Sequence, residues 1–420
     1  MDPLVGAASA AIPPSVPTSA APLGAASAAI PPSVPTPAAP VGAAGRHPAS
    51  AAIPPLSPRV IPNITDHHFP SSTGLPRIPL TDHRSPAMPF HDFTLIQAPM
   101  AGGINTTELT VGAARAGALA SIGAGYLSGT ALEAAVTAAR QGGAEALAVN
   151  LFIPGEPGAT EAQWRAAREA LAPCYDAAGV DLPDSFAELP GFDEQFDAML
   201  EARPAFFSFT FGRLDKARRD ACRARGIALI GTATNRAEAR DQAEDGVDAI
   251  VLQGEEAGGH RGSVETRGAG QPLAALLEAC GDLDRPLIAA GGLMDGADMA
   301  RVLGLGAAAA QLGTAFLSCP EAGTAPAWRQ ALAAAGPDAT VMTAAVSGRY
   351  ARGLANAWMD ERAPREIAPY PDQHRLTAPL RKAAGAEWKS LWAGTGAHRS
   401  RVLPVEELAA ALLEECRAAG

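Results

Sequence analysis

The stretch Gly254-Glu-Glu-Ala-Gly-Gly-His-Arg-Gly262 sets one histidine among glycines, directly after the apolar run Asp248-Ala-Ile-Val-Leu-Gln253. A strand running into such a loop fixes position. The glycines let a ligand approach the backbone, and an imidazole can move a proton near neutral pH. The other seven histidines lie at or before His91 and at or after His374, so acid–base chemistry by histidine in the middle of the chain falls to His260. The amides Asn150, Gln253 and Gln311 also close apolar runs, and the turns Gly291-Gly292 and Gly313-Thr314 follow the last two apolar runs, 286–290 and 307–311. Amides donate and accept, which suits a flat heterocycle with carbonyls and ring N–H groups. Glycine turns suit a phosphate, because a side chain there would hold it off the backbone N–H groups. A phosphate cradle with amides across the same mouth fits flavin mononucleotide (FMN). The Gly123-Ala-Gly-Tyr-Leu-Ser-Gly129 loop has the wrong spacing for a dinucleotide fingerprint. Arg349 and Arg352 are candidates for holding an acidic group, against a plainer reading as solvated surface. Arg261 reads as a brace for its loop, and Lys216, on an outer helix, receives no role.

These residues need a scaffold that brings strand ends together. Short apolar runs near 94–100, 118–122, 146–150, 205–210, 227–231, 248–253, 286–290 and 307–311 read as strands, each leading to a helical stretch or a loop before one. Repeated βα units with right-handed crossovers give a doubly wound sheet or a closed barrel, and eight units favour the (β/α)8 TIM barrel. In a barrel the chemical residues converge on the C-terminal face of the strands. Residues 160–172 read as a helix, and 173–203 as an insertion with its own helix near Phe192–Arg203. The expected organisation is a barrel over 89–324, a C-terminal helical lid over 325–400, and a terminal helix over 401–420 packing back on the barrel. Residues 1–88 repeat an 18-residue unit, Gly6-Ala-Ala-Ser-Ala-Ala-Ile-Pro-Pro-Ser-Val-Pro-Thr returning at Gly24. They are too rich in proline and alanine to bury a core, so a disordered tail is expected.

The 420 residues carry 33 basic and 44 acidic side chains, a net charge of −11. An acidic body disfavours nucleic acid or an anionic membrane as partner. Five scattered cysteines, Cys174, Cys222, Cys280, Cys319 and Cys416, form no CxxC and no Cys/His cluster. That reads as inert thiols in a reducing compartment, without a metal. With no apolar run long enough to span a membrane and no secretory signal, a cytoplasmic protein is expected.

Gln97-Ala-Pro-Met-Ala-Gly-Gly103, Asn150-Leu-Phe152, Ser208-Phe-Thr-Phe-Gly212, Gln253-Gly-Glu-Glu-Ala-Gly-Gly-His-Arg-Gly262 and Gln311-Leu-Gly-Thr314 resemble the nitronate monooxygenase family, formerly called 2-nitropropane dioxygenases, over about residues 90–400. The resemblance implies an FMN-binding (β/α)8 barrel with a helical second domain. It implies flavin contacts from Met100, Asn150, Gln253, Gly258, Gly292, Gln311, Leu312, Gly313 and Thr314, and an active-site role for His260, as acid–base or anion-positioning group. It implies oxidation of alkyl nitronates such as propionate 3-nitronate by O2. Monomer and homodimer both remain open. Thr107 stands where the family commonly has proline, Ala118 where it has a second glycine, and Thr210 where it has histidine. Rival readings on the same fold are an FMN-dependent enoyl-(acyl carrier protein) reductase and a quinone reductase. A flavin-binding scaffold with a proline-rich tail is the non-enzymatic alternative.

Overall fold

The structure is a computed structural model and describes residues 92–155, 157–264 and 270–420. The repeat tail over 1–88 lies outside the described residues. Eight parallel strands make the central sheet: β1 (Leu95–Gln97), β2 (Ala120–Gly123), β3 (Leu147–Phe152), β4 (Phe206–Thr210), β5 (Ala228–Ala233), β6 (Ala249–Gln253), β8 (Leu287–Ala290) and β9 (Ala309–Leu312). The two-residue β7 (Gly259–His260) stands apart. The order is β1-β9-β8-β6-β5-β4-β3-β2, and a parallel bridge between Ile96 and Leu119 joins its two ends. Gln97 N donates to Leu119 O (3.0 Å) and Leu119 N to Leu95 O (2.9 Å). The sheet is thus a nearly closed barrel.

Alternation along each strand sorts side chains inward and outward. Ile96, Leu119, Ala148, Phe206, Ile230, Val251 and Ile288 fill the barrel interior. Their neighbours Leu95, Leu147, Val149, Phe207, Phe209, Ile250, Leu252 and Leu312 face the helices. The same parity carries Asn150, Gln253 and Gln311 inward at the strand ends, where the interior column opens into the mouth. Leu312 falls on the outer side, against the helices.

The helices are set by local signals. Thr106 Oγ1 accepts from Leu109 N at 3.1 Å and starts helix Thr107–Arg115. Asn235 Oδ1 accepts from Glu238 N at 3.0 Å and starts Arg236–Glu244. The terminal helix Val405–Ala419 lies so close to the barrel helices that a Cβ on Gly112 would sit 2.2 Å from Val405 Cγ1, and one on Gly296 2.3 Å from Cys416 N.

Two expectations change. Helix Glu161–Ala178 does not stop before Pro173 but runs through it. Leu171, Cys174 and Tyr175 on this helix join Trp358, Leu376, Leu380 and Trp388 in a second apolar core, and that burial outweighs the roughly 3 kcal/mol an interior proline costs a helix. The barrel helix between β3 and β4 is instead Phe192–Ala202, whose Phe196 and Met199 belong to the main core. The inserted element is therefore the earlier helix. The C-terminal region is also not wholly helical. β10 (Thr340–Thr343) and β11 (Ala351–Leu354) pair antiparallel, and β11 pairs in turn with β7, matching Ala351 to His260. The histidine loop leaves the barrel and becomes an edge strand of the C-terminal sheet.

Candidate active site

A cavity of about 480 Å³ opens at the C-terminal ends of the barrel strands, a volume ordinary for a small-molecule site. Its floor comes from the strand ends. Met100, Asn150, Gln253, Gly258, Gly292, Gln311, Gly313 and Thr314 all line it, as does His260. Leu312 does not: its side chain is buried among the helices, and its carbonyl accepts from Ala98 N at 2.9 Å.

The floor amides differ in what they have left to offer. Gln253 Nε2 donates to His260 O (3.1 Å) and its Oε1 accepts from Gly262 N (2.7 Å), so this amide also braces the histidine loop. Asn150 Nδ2 donates to Ser208 Oγ at 3.0 Å. Gln311 makes no hydrogen bond within the described residues and keeps its whole amide for a ligand. Gly291 and Gly292 carry φ of +129° and +69°, a backbone that glycine adopts without strain, at the turn expected to cradle phosphate. This set fits a flavin: the free amide of Gln311 beside the partly engaged Asn150 at the mouth, and glycine turns after β8 and β9. Gly258 is glycine for another reason than room for a ring. A Cβ there would lie 2.5 Å from Ala393 C and Gly394 N, so the close approach of the 393–394 backbone requires it. Glu256 points away from the cavity and accepts from Leu273 N (3.1 Å) at the start of helix Leu273–Cys280.

The roof comes from residues far apart in sequence. His260 is held at Nε2 by Ser347 Oγ (2.8 Å), whose hydroxyl also lies 3.1 Å from Arg349 O. Phe211, Tyr370 and Trp392 surround the imidazole at centroid distances of 5.9, 5.8 and 5.6 Å. Phe211 sits at φ +76°, unusual for a bulky residue. Its ring packs under the Arg349 guanidinium at 4.1 Å. Arg349 is buried and donates through Nε to Arg261 O (3.3 Å) and through Nη2 to Ser263 O, so it braces the loop. Arg352 likewise donates through Nε to Glu255 O (2.9 Å). Neither arginine is a solvated helix-surface residue, and Arg261, as expected, contributes backbone to this brace.

His260 has a companion. His374 lines the same cavity and stacks on Tyr126 at 4.6 Å. Tyr126 Oη and Arg381 Nη2 each lie 3.4 Å from His374 Nδ1. Burial, then Arg349 and Arg381, holds the His260 pKa down to about 3. Burial, then Arg381 and His260, holds His374 down to about 2. Both rings are therefore neutral at working pH, and His260 does not supply a positive charge. Sequence reasoning missed Tyr126, Ser347, Tyr370, His374, Arg381 and Trp392. The one available signal was the spacing of His374, Ala378 and Arg381, which share a face of helix Asp372–Ala383. Thr210 lines the floor, its Oγ1 donating to Gly262 O at 3.3 Å.

Fold and site together define a barrel enzyme with its chemistry at the strand C-terminal ends. A profile of the nitronate monooxygenase family matches residues 87–415. The chain is 37% identical to a nitronate monooxygenase of Paraburkholderia phytofirmans, over 78% of this chain and 93% of that one. It is 38% identical to the Pseudomonas aeruginosa protein of the same name, over 77% and 96%. Among solved structures, nitroalkane oxidase from Streptomyces ansochromogenes superposes with a TM-score of 0.73 at 35% identity, covering 78% of this chain and 96% of that one. FabK from Thermotoga maritima, at 23% identity and a TM-score of 0.60 over 78% and 93%, shares the fold. The chain belongs to the nitronate monooxygenase family, whose members are flavin-dependent oxidoreductases. Among the described residues no helix is long and apolar enough to cross a membrane.

Proposed function

We propose that this enzyme oxidises alkyl nitronates with O2, using FMN seated on the barrel mouth. The observation that carries the reading is the split cavity: a floor of glycine turns and amides under a roof of rings, two neutral histidines and Arg381, with no carboxylate among the described residues that line it. Gly292, Gly313 and Thr314 hold the phosphate through backbone N–H groups. Gln311, with the Asn150 carbonyl, would serve the polar edge of the ring system, Gln253 would hold the histidine loop beside it, and Met100 would offer an apolar surface. Bound there, the flavin supplies a two-electron acceptor that O2 can reoxidise.

A nitronate is already an anion at its reacting carbon and needs no base. A neutral nitroalkane does. His260 is neutral and tethered at Nε2 by Ser347, which leaves Nδ1 to take the proton from the substrate carbon. The protein thus has a base for nitroalkanes that the nitronate reaction bypasses.

The test is a purified yellow protein that consumes O2 with propionate 3-nitronate, and whose flavin bleaches anaerobically on adding that nitronate. His260→Asn should lower turnover of nitroethane by roughly 100-fold or more, the usual worth of a general base, and leave preformed ethyl nitronate much less affected. Rapid bleaching by NADH or NADPH with none by a nitronate would replace this reading with a reductase.

A further inference from the structure

Arg381 is a guanidinium facing the cavity with no counter-ion. It donates through Nε to Thr377 Oγ1 (3.1 Å) and through Nη2 to His374 O (3.0 Å), and its Nη1 makes no hydrogen bond within the described residues. Among those residues no Asp or Glu lies within ion-pair distance of it. Burial pulls its pKa down, and the nearby groups that oppose this are the phenols of Tyr126 and Tyr175, with no carboxylate among them. Among the described residues, a chain of net charge −11 places no carboxylate in this lining and does place a cation there. Desolvating a guanidinium without a partner is costly, and the cost is recovered when an anion arrives.

The neighbours are set to receive one. Arginine only donates, so His374 Nδ1 accepts from Arg381. Tyr126 Oη meets the same Nδ1 at 3.4 Å. With donors on Nδ1, the ring proton sits on Nε2 as a second N–H. Ala378, one turn after His374 on the same face, is small and lines the cavity beside the two side chains.

We propose that Arg381, seconded by the Nε2–H of His374, is the seat for a planar oxyanion of the substrate. This rests on the nitronate reading and deepens it by naming the group that holds the negative charge. The oxyanion is the nitronate itself or a carboxylate elsewhere on the same substrate, since both are planar oxyanions that can accept from the free Nη1 of the guanidinium.

Nitrate, a planar oxyanion that cannot be oxidised, tests the seat without turnover. Titrated into the flavin-loaded full-length protein and followed by flavin absorbance, it should bind wild type and bind Arg381→Met roughly 10- to 100-fold more weakly, the range of a lost charge-assisted hydrogen bond. Arg381→Lys keeps the stem and charge but not the fork, so it should fall between the two; this variant serves if Met disturbs the helix. KM values then locate the anion. A rise for both ethyl nitronate and propionate 3-nitronate assigns the seat to the nitronate; a rise for the second alone assigns it to the carboxylate. Nitroethane, being neutral, should shift by less than about threefold. Unchanged nitrate affinity in both variants overturns the proposal. Because nitrate binding needs no reaction, it is decided even if the enzyme proves to be a nicotinamide-dependent reductase.

Discussion

The floor and the roof of this cavity face each other and are built on different principles. The floor is made by adjacent strand ends, Asn150, Gln253, Gln311 and the Gly291-Gly292 turn, and carries amides but no charge. The roof is made by Tyr126, Phe211, His260, His374 and Arg381, with Tyr370 packed against His260, drawn from four separate regions of the chain, and carries rings and a cation. A floor of this kind can hold a large neutral ring and a phosphate by backbone geometry. A roof of this kind discriminates by charge. On the proposed reading, cofactor binding falls to the barrel and substrate choice to what covers it.

That contrast can be broken, and the largest expected effect is on pH. His260 and His374 have folded pKa values near 3 and 2, below the unfolded value of about 6.5. Between these limits the unfolded chain binds protons that the fold does not. The stability each neutral ring permits is complete above about pH 6.5, and it is lost at about 1.4 kcal/mol per pH unit as pH falls toward the folded pKa. Urea unfolding at pH 6 and pH 4 should show wild type losing several kcal/mol more than a His260→Asn, His374→Gln double variant. Equal losses would mean the roof is wet and its histidines ordinary.

Next is the hinge between the two halves. Gly258→Val drives a side chain into the Ala393-Gly394 backbone, so it should destabilise by about 1–3 kcal/mol and release flavin on gel filtration. A variant that stays yellow with an unchanged urea midpoint would show that floor and roof are not locked together there.

A smaller change sharpens the base within the roof. Ser347→Ala removes the partner of His260 Nε2 and should lower kcat on nitroethane by roughly tenfold, with KM nearly constant. Preformed ethyl nitronate should respond less; an equal loss on both substrates would show that Ser347 serves the roof's structure and not the base. The smallest effect is the control. Lys216 lies outside both halves, on an exposed helix paired with Asp220 at 2.6 Å, and Lys216→Ala should leave turnover and melting temperature unchanged.

Much of the floor was legible in the sequence because it obeys a local rule. Apolar runs with a period of two, each followed by a helix, give a parallel barrel, and parity alone turns Asn150, Gln253 and Gln311 inward. The same parity turns Leu312 outward, so that side chain could have been excluded by counting. Proline at 173 misled for the opposite reason: a local helix-breaking rule yielded to apolar burial against Leu376 and Trp388, some two hundred residues away. The strands β10 and β11 were hidden because each is only four residues long and neither alternates apolar-in with polar-out: β10 exposes Val341 and buries Thr343.

The sequence by itself determined the barrel, the family and the side of the cavity that a flavin would rest on, since each depends on residues close together along the chain. Only the tertiary structure decided the other side. Tyr126 meets His374 across 248 residues, and the His260 strand completes a sheet begun at Thr340. No spacing in the chain encodes such meetings. They exist because two apolar cores pack so as to bring a tyrosine, two histidines and an unpartnered arginine around one cavity.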